Sequence, residues 1–128
     1  LNGEEHKETL CAALNYANSL IDLRRFAVAK ALSRKTMPVA RRVLGDSNDI
    51  TLRMRWNYAK ALYEDDTATL DDLREAVTTL EDTERTARRV LGGTQPFTMN
   101  IETSLQNARS KLASFDALAE GVRDLSVS

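Results

Sequence analysis

The stretch Ala40-Arg41-Arg42-Val43-Leu44-Gly45 returns as Ala87-Arg88-Arg89-Val90-Leu91-Gly92, and in each copy a Thr, Thr51 or Thr98, stands six residues after the Gly. The offset between the copies is 47 residues. A catalytic motif has no reason to occur twice on one small domain. A supersecondary unit that cannot bury its apolar face alone has to be repeated and stacked. Aligning on the Gly adds an earlier copy, Leu1-Asn2-Gly3 followed by Thr9, 42 residues before Gly45. Asn15-Tyr16-Ala17 then matches Asn57-Tyr58-Ala59, and Phe26 and Ala29 match Leu73 and Ala76. The additional residues fall between Ala59 and Leu73, where Glu64-Asp65-Asp66 and Asp71-Asp72 read as a solvated turn that tolerates insertion at small entropic cost.

Each unit reads as two helices. Leu10, Leu14, Ala17 and Ile21 lie at helical spacing, as do Phe26, Ala29, Ser33, Met37, Ala40 and Leu44. The next pair uses Leu52, Trp56, Ala59 and Leu62, then Leu73, Val77, Leu80, Ala87 and Leu91. A final stripe through Phe97, Ile101, Leu105, Ala108, Leu112, Phe115 and Ala119 predicts one long helix from near Pro96 to about Ala119. A competing reading starts a sixth helix with Ser114 as its cap. The lack of a strong turn former between Lys111 and Asp116 favours the single helix. No segment shows a period of two. Gly45 and Gly92 are predicted to close helices in the left-handed conformation, with Arg41-Arg42 and Arg88-Arg89 at the negative end of each helix dipole. Thr69 and Asp72 fit a capping pair, and Pro96 fits a first helical turn. Pro38 falls inside the second helix and predicts a kink or local opening.

These residues resemble the longer, 42-residue tetratricopeptide repeats of kinesin light chains. The matches are Leu44-Gly45 and Leu91-Gly92, His6-Lys7-Glu8-Thr9, Gln95-Pro96-Phe97-Thr98, the two Asn-Tyr-Ala triplets, and Phe26 with Ala29. The match covers residues 1–112 and lacks the usual Gly between the two helices of a unit. The resemblance implies an all-α, right-handed helical-repeat solenoid of antiparallel helix pairs whose first helices line a concave groove that binds peptides or proteins. About two and a half repeats fit one domain over 1–128, divided as 1–42, 43–89 and 90–128. Helix geometry then points Asn15, Asn18, Arg53, Asn57, Lys60, Asn100, Asn107 and Lys111 toward that groove. Amide side chains there offer a peptide backbone both a donor and an acceptor, and the cations offer a carboxylate a partner. For Asn15 and Asn57, bonding within the repeat is the other reading. Trp56, the single Trp, reads as core before contact residue.

Candidate chemistry is sparse. His6 is the single His and Cys11 the single Cys, five residues apart and off one helical face, so neither a metal site nor a Cys–His pair is read from them. His6 reads as a helix-start residue and Cys11 as a small packing residue. Gly92-Gly93 follows a helix, where a phosphate loop would precede one, and the acidic turn lacks Ca²⁺-loop spacing. The expectation is therefore a non-enzymatic protein with no cofactor. A single Cys allows no internal disulfide and points to a reducing, cytoplasmic setting. No apolar run approaches the ~18 residues of a membrane span, and no signal peptide is read. The opening Leu1-Asn2-Gly3-Glu4-Glu5, without Met, reads as a processed product, an excised segment or part of something longer.

Net charge is −1, which hides a dipolar chain. Between Leu23 and Tyr63 ten bases face two acids, and between Glu64 and Glu84 nine acids face Arg74 alone. Neutralisation between stacked helices is the favoured reading, and a basic surface that steers an acidic partner is the other. Nucleic acid is not expected, because stacking aromatics are missing from the basic stretch and the acidic half repels phosphate. The predicted partner is thus a protein or peptide, with acidic chemistry favoured by the basic stretch. The alternative is a structural subunit or fragment of a larger assembly with no free groove. Self-association is expected through the C-terminal end, where Leu112, Phe115 and Leu118 have no following repeat to cover them.

Overall fold

Local chemistry sets where each helix begins and ends. The structure is a computed structural model describing residues 3–127, in which α1 (Gly3–Asp22), α2 (Phe26–Leu44), α3 (Asp49–Tyr63), α4 (Leu70–Leu91) and α5 (Pro96–Val127) follow one another. Among the described residues there is no strand. Leu1 and Asn2, the start of the first sequence copy, lie outside them. Helix α4 opens on a capping box: the Asp72 amide donates to Thr69 Oγ1 at 3.1 Å and the Thr69 amide to Asp72 Oδ2 at 3.0 Å. Helix α3 is capped by Asn48, whose Oδ1 accepts the Ile50 amide at 2.9 Å, a signal the sequence reading passed over. Helix α5 starts at Pro96 and runs unbroken to Val127, so Ser114 opens no separate helix.

The two ARRVLG copies make one turn twice. The Gly45 amide donates to the Arg41 carbonyl and the Asn48 amide to the Gly45 carbonyl. The Gly92 amide likewise donates to Arg88 and the Gln95 amide to Gly92. The glycines have φ of +89° and +92°, positive as expected, but ψ of 162° and 154°. This is not the left-handed helical conformation. It is a mirror of extended backbone that only Gly occupies readily, and each Gly is itself the cap that throws the chain outward to the next helix. Pro38 does not open α2, which is helical throughout from Phe26 to Leu44.

The α1–α2 turn does by other means what the missing Gly would do. The Arg25 amide reaches back to the Leu20 carbonyl at 2.7 Å and the Arg24 amide to Ile21 at 2.9 Å, with Arg24 at φ 58°. That is a Schellman closure with Arg in the left-handed position. Its guanidinium lies 5.2 Å from the centre of the Phe26 ring and 3.2 Å from Asp66. Arg24→Gly is expected to be more stable than Arg24→Ala by about 1 kcal/mol, because both lose those contacts but only Gly relieves the backbone. Paired urea titrations check the ranking, and Ala at or above Gly would contradict the assignment.

Burial repeats with the sequence. Ile50, Thr51, Met54, Asn57, Tyr58 and Ala61 of α3 are buried, and so is each residue 47 positions later, Phe97, Thr98, Ile101, Ser104, Leu105 and Ala108 of α5. Phe26, Ala29, Ser33 and Ala40 of α2 map in the same way onto buried Leu73, Ala76, Leu80 and Ala87 of α4. The match is partial: Leu52, Ala59, Leu62 and Tyr63 are buried in α3, whereas Met99, Gln106, Arg109 and Ser110 at the corresponding places in α5 are exposed. One matched pair also differs in its bonding. Thr51 Oγ1 donates to the Ala40 carbonyl at 3.3 Å, whereas Thr98 Oγ1 is buried with no partner. Thr98→Val is therefore expected to stabilise by about 1 kcal/mol and Thr51→Val to destabilise by about as much. Denaturant midpoints of the two variants check this, and equal shifts would show that the hydroxyls are equivalent.

Each helix packs on the next in sequence, and α3 also touches α1 and α5, while the backbones of α2 and α4 do not approach each other. The main core, with Leu52, Leu62, Leu73, Leu80 and Ile101, fills the space between α3, α4 and α5. The acidic turn is less free than its composition implies. Asp65 lies 3.7 Å from Lys30 Nζ and accepts the Thr67 amide at 2.9 Å, and Ala68 packs against the core.

Candidate functional site

At 3.6 residues per turn, Arg53, Trp56, Asn57 and Lys60 share one side of α3, and Arg55 and Tyr58 lie on the opposite side. Both sides carry charge, and the neighbouring helices give each a different setting.

The first side meets α5. The Arg53 guanidinium pairs with Asp49 at 2.9 Å and sits 4.4 Å over the Phe97 ring. Trp56 packs edge-on against Phe97 at 5.5 Å and donates its ring N–H to Ser104 Oγ at 2.8 Å. Lys60 Nζ lies 4.0 Å over the Trp56 ring. Burial pushes its pKa down, against the pull of Glu64 and Asp22. Lys111 Nζ reaches back from α5 to the Tyr63 carbonyl at 2.6 Å. Neither Lys60 nor Lys111 forms an ion pair among the described residues. A hollow of about 660 Å³ opens beside Lys111, lined by it and Asn107 with Ile21, Asp22, Arg24, Phe26, Tyr63, Glu64, Asp66 and Ser110.

Of the predicted groove residues, Arg53, Lys60, Asn107 and Lys111 come together along α3 and α5, with Asn100 exposed further along the α5 stripe. Asn18 is exposed on α1. Asn15 is exposed too, but it lines a separate hollow with Lys7, Glu8, Cys11 and Ala12. Asn57 is corrected outright. It is buried at 1% exposure with neither side-chain polar atom hydrogen-bonded, so it is neither an open groove residue nor bonded within its repeat. Helical angle alone points it outward, but α3 is packed by all four other helices and Asn57 lies beneath those contacts. Trp56 is half-buried, with its polar edge satisfied internally.

The second side of α3 forms the floor of a larger cleft, about 820 Å³, between α2 and α4. Arg34, Met37, Pro38, Arg41 and Arg42 form one wall, and Glu75, Thr78, Thr79 and Asp82 the other. A bridge closes one end. Arg34 Nε donates to Tyr58 Oη at 3.1 Å, and the Tyr58 hydroxyl donates to Glu75. Burial and the Glu75 hydrogen bond together push the Tyr58 phenol up. The linear charge pattern was the signal for this cleft, since it places bases on α2 and acids on α4. Ion pairs across the two stretches join Arg24 of the α1–α2 turn to Asp66 and Lys30 of α2 to Asp65, both acids on the α3–α4 turn. Along the cleft the walls stand apart.

No family model matches the chain, and neither the curated proteins nor the solved structures contain a match to it. Among the described residues no group of three His, Cys, Asp or Glu side chains is placed to hold a metal ion. No described helix is long and apolar enough to cross a membrane.

Proposed function

We propose that the chain is a non-enzymatic protein-interaction scaffold: a right-handed helical-repeat solenoid of tetratricopeptide-like type that holds a peptide or protein on the face shared by α3 and α5. The repeated turn and the burial pattern recurring at 47 residues support the repeat assignment. The binding assignment rests on one observation. Lys111 borders a hollow beside the exposed amide of Asn107, and Lys60 lies on the same side of α3; among the described residues neither lysine has an ion pair. Such a face suits a segment that brings carboxylates and an extended backbone. A reducing compartment such as the cytoplasm fits the single Cys11.

Affinity capture with the chain as bait, followed by mass spectrometry, tests this when run beside a Lys60→Glu/Lys111→Glu variant shown by circular dichroism to be folded. A partner retained by the parent chain and lost by the variant is the expected outcome. A partner retained equally by both would remove this face from the reading.

A second reading, a subunit of a fixed assembly, is favoured by the far half of α5. Phe115, Leu118, Val122 and Leu125 are exposed there by 38%, 71%, 56% and 78%, at the 3-4-3 spacing of a helix–helix seam. Sedimentation analysis separates the two. A scaffold runs as a monomer until its partner is added, and an assembly subunit self-associates, with Leu118→Lys abolishing the association.

A further inference from the structure

The cleft between α2 and α4 contains an unusual cation. Arg55 is half-buried on its floor, and among the described residues it makes no ion pair and no hydrogen bond. Asp82 and Asp46 lie near enough to be felt but outside pairing distance, and Arg41 repels it. A guanidinium removed from water without a partner is costly, and an incoming carboxylate matches its planar fork with two charge-assisted hydrogen bonds. Arg42, which among the described residues also makes no ion pair or hydrogen bond, stands on the adjoining wall. The cleft also has means to hold a chain. Pro38 has no amide hydrogen, so the Arg34 carbonyl on that wall lacks its helical donor and is left as an acceptor. Thr78 offers a hydroxyl from the facing helix, and Met37 gives an apolar surface between them. At about 820 Å³ the space is far larger than a single inorganic anion needs and matches a short peptide. Glu75 and Asp82 on the α4 wall repel a polyanion such as nucleic acid.

We infer that this cleft is a second binding site, on the side of α3 opposite the α3–α5 face, and that it takes a short peptide segment whose carboxylate seats on Arg55 and Arg42. The site does not depend on the α3–α5 reading and stands or falls separately. Its carboxylate comes from an acidic side chain or from a chain terminus.

An NMR titration of the full chain, read at the arginine Nε–Hε signals, tests it. The probes are acetyl-Ala-Glu-Ala-Lys-Ala-amide, the same peptide with Gln for Glu, that Gln peptide with a free terminal carboxylate, and inorganic phosphate. The Arg55 signal is expected to shift and saturate with the Glu peptide, and the Gln amide is expected to bind about tenfold more weakly or worse. Arg55→Gln should lose a similar factor and Arg74→Gln none. Saturation by the free-terminus peptide as well would support the site and assign it to chain ends. Uniform, unsaturating shifts at all exposed arginines would overturn it, as would phosphate acting as strongly as the Glu peptide. A second readout needs no ligand. Arg55→Met should raise the thermal midpoint of the free chain by removing an unpaired cation, and a lowered midpoint would show that Arg55 is structural and overturn the site.

Discussion

Leu62→Ala is expected to lower the unfolding free energy by about 2–5 kcal/mol, a large fraction of the stability of an ordinary domain. Leu62 has no exposed surface and sits in the cluster that joins α3 to α4 through Leu73 and Ala76. Truncation removes the transfer energy of its side chain and leaves a cavity. Neighbouring Ala59 and Ala61, each with no exposed surface, are too small to fill that cavity. Leu118→Ala, on a side chain 71% exposed, is expected to stay within about 0.5 kcal/mol of the parent. Urea titrations with unchanged m-values check the pair, and a loss below about 1 kcal/mol at Leu62 would show that the core relaxes around it.

The second large effect is in the backbone. A Cβ added at Gly45 or at Gly92 meets nothing within 4 Å, so crowding cannot make either substitution costly. Their torsions can, since φ near +90° with ψ near +160° suits Gly almost alone. Gly45→Ala and Gly92→Ala are each expected to destabilise by about 1–3 kcal/mol. Gly121→Ala supplies the contrast. Gly121 lies inside α5, a Cβ there also meets nothing within 4 Å, and the substitution should stabilise by about 0.5–1 kcal/mol. Thermal unfolding of the three variants separates them, and a destabilising Gly121→Ala would argue that the far half of α5 needs flexibility at that point.

Much of the fold is legible from spacing and caps alone, because those signals are local. The stripe from Phe97 to Ala119, the capping box of Thr69 and Asp72, and the stop at each ARRVLG depend on residues within a few positions of one another. What escapes is set by other parts of the chain. Arg carries no turn signal, and Arg24 takes a positive φ where the Leu20 and Ile21 carbonyls and the start of α2 together demand it. Helical angle gives a direction to Asn57 but says nothing about which helices cover that direction. The charge runs were visible, yet reading them as mutual neutralisation assumes that α2 and α4 touch. Their backbones do not approach each other, and so Arg55, one of the ten bases between Leu23 and Tyr63, is left as an unpaired cation in a cleft.

The absence of a backbone contact between α2 and α4 also bears on how the molecule opens. No helix of the α1–α2 hairpin makes a backbone contact with a helix of the α4–α5 hairpin, so α3, flanked by the Arg24–Asp66 and Lys30–Asp65 pairs and the Arg34–Tyr58–Glu75 bridge, carries most of the coupling between the halves. Fraying of α1 or of the far half of α5 can occur without disturbing the other end. Loss of α3 leaves two hairpins whose backbones do not meet, and neither can bury its apolar side alone. The slowest-exchanging amide hydrogens should therefore lie in α3, around Leu52, Ala59 and Leu62, and should exchange only when the whole chain unfolds. The two outer hairpins would exchange earlier, through separate partial openings whose free energies need not agree.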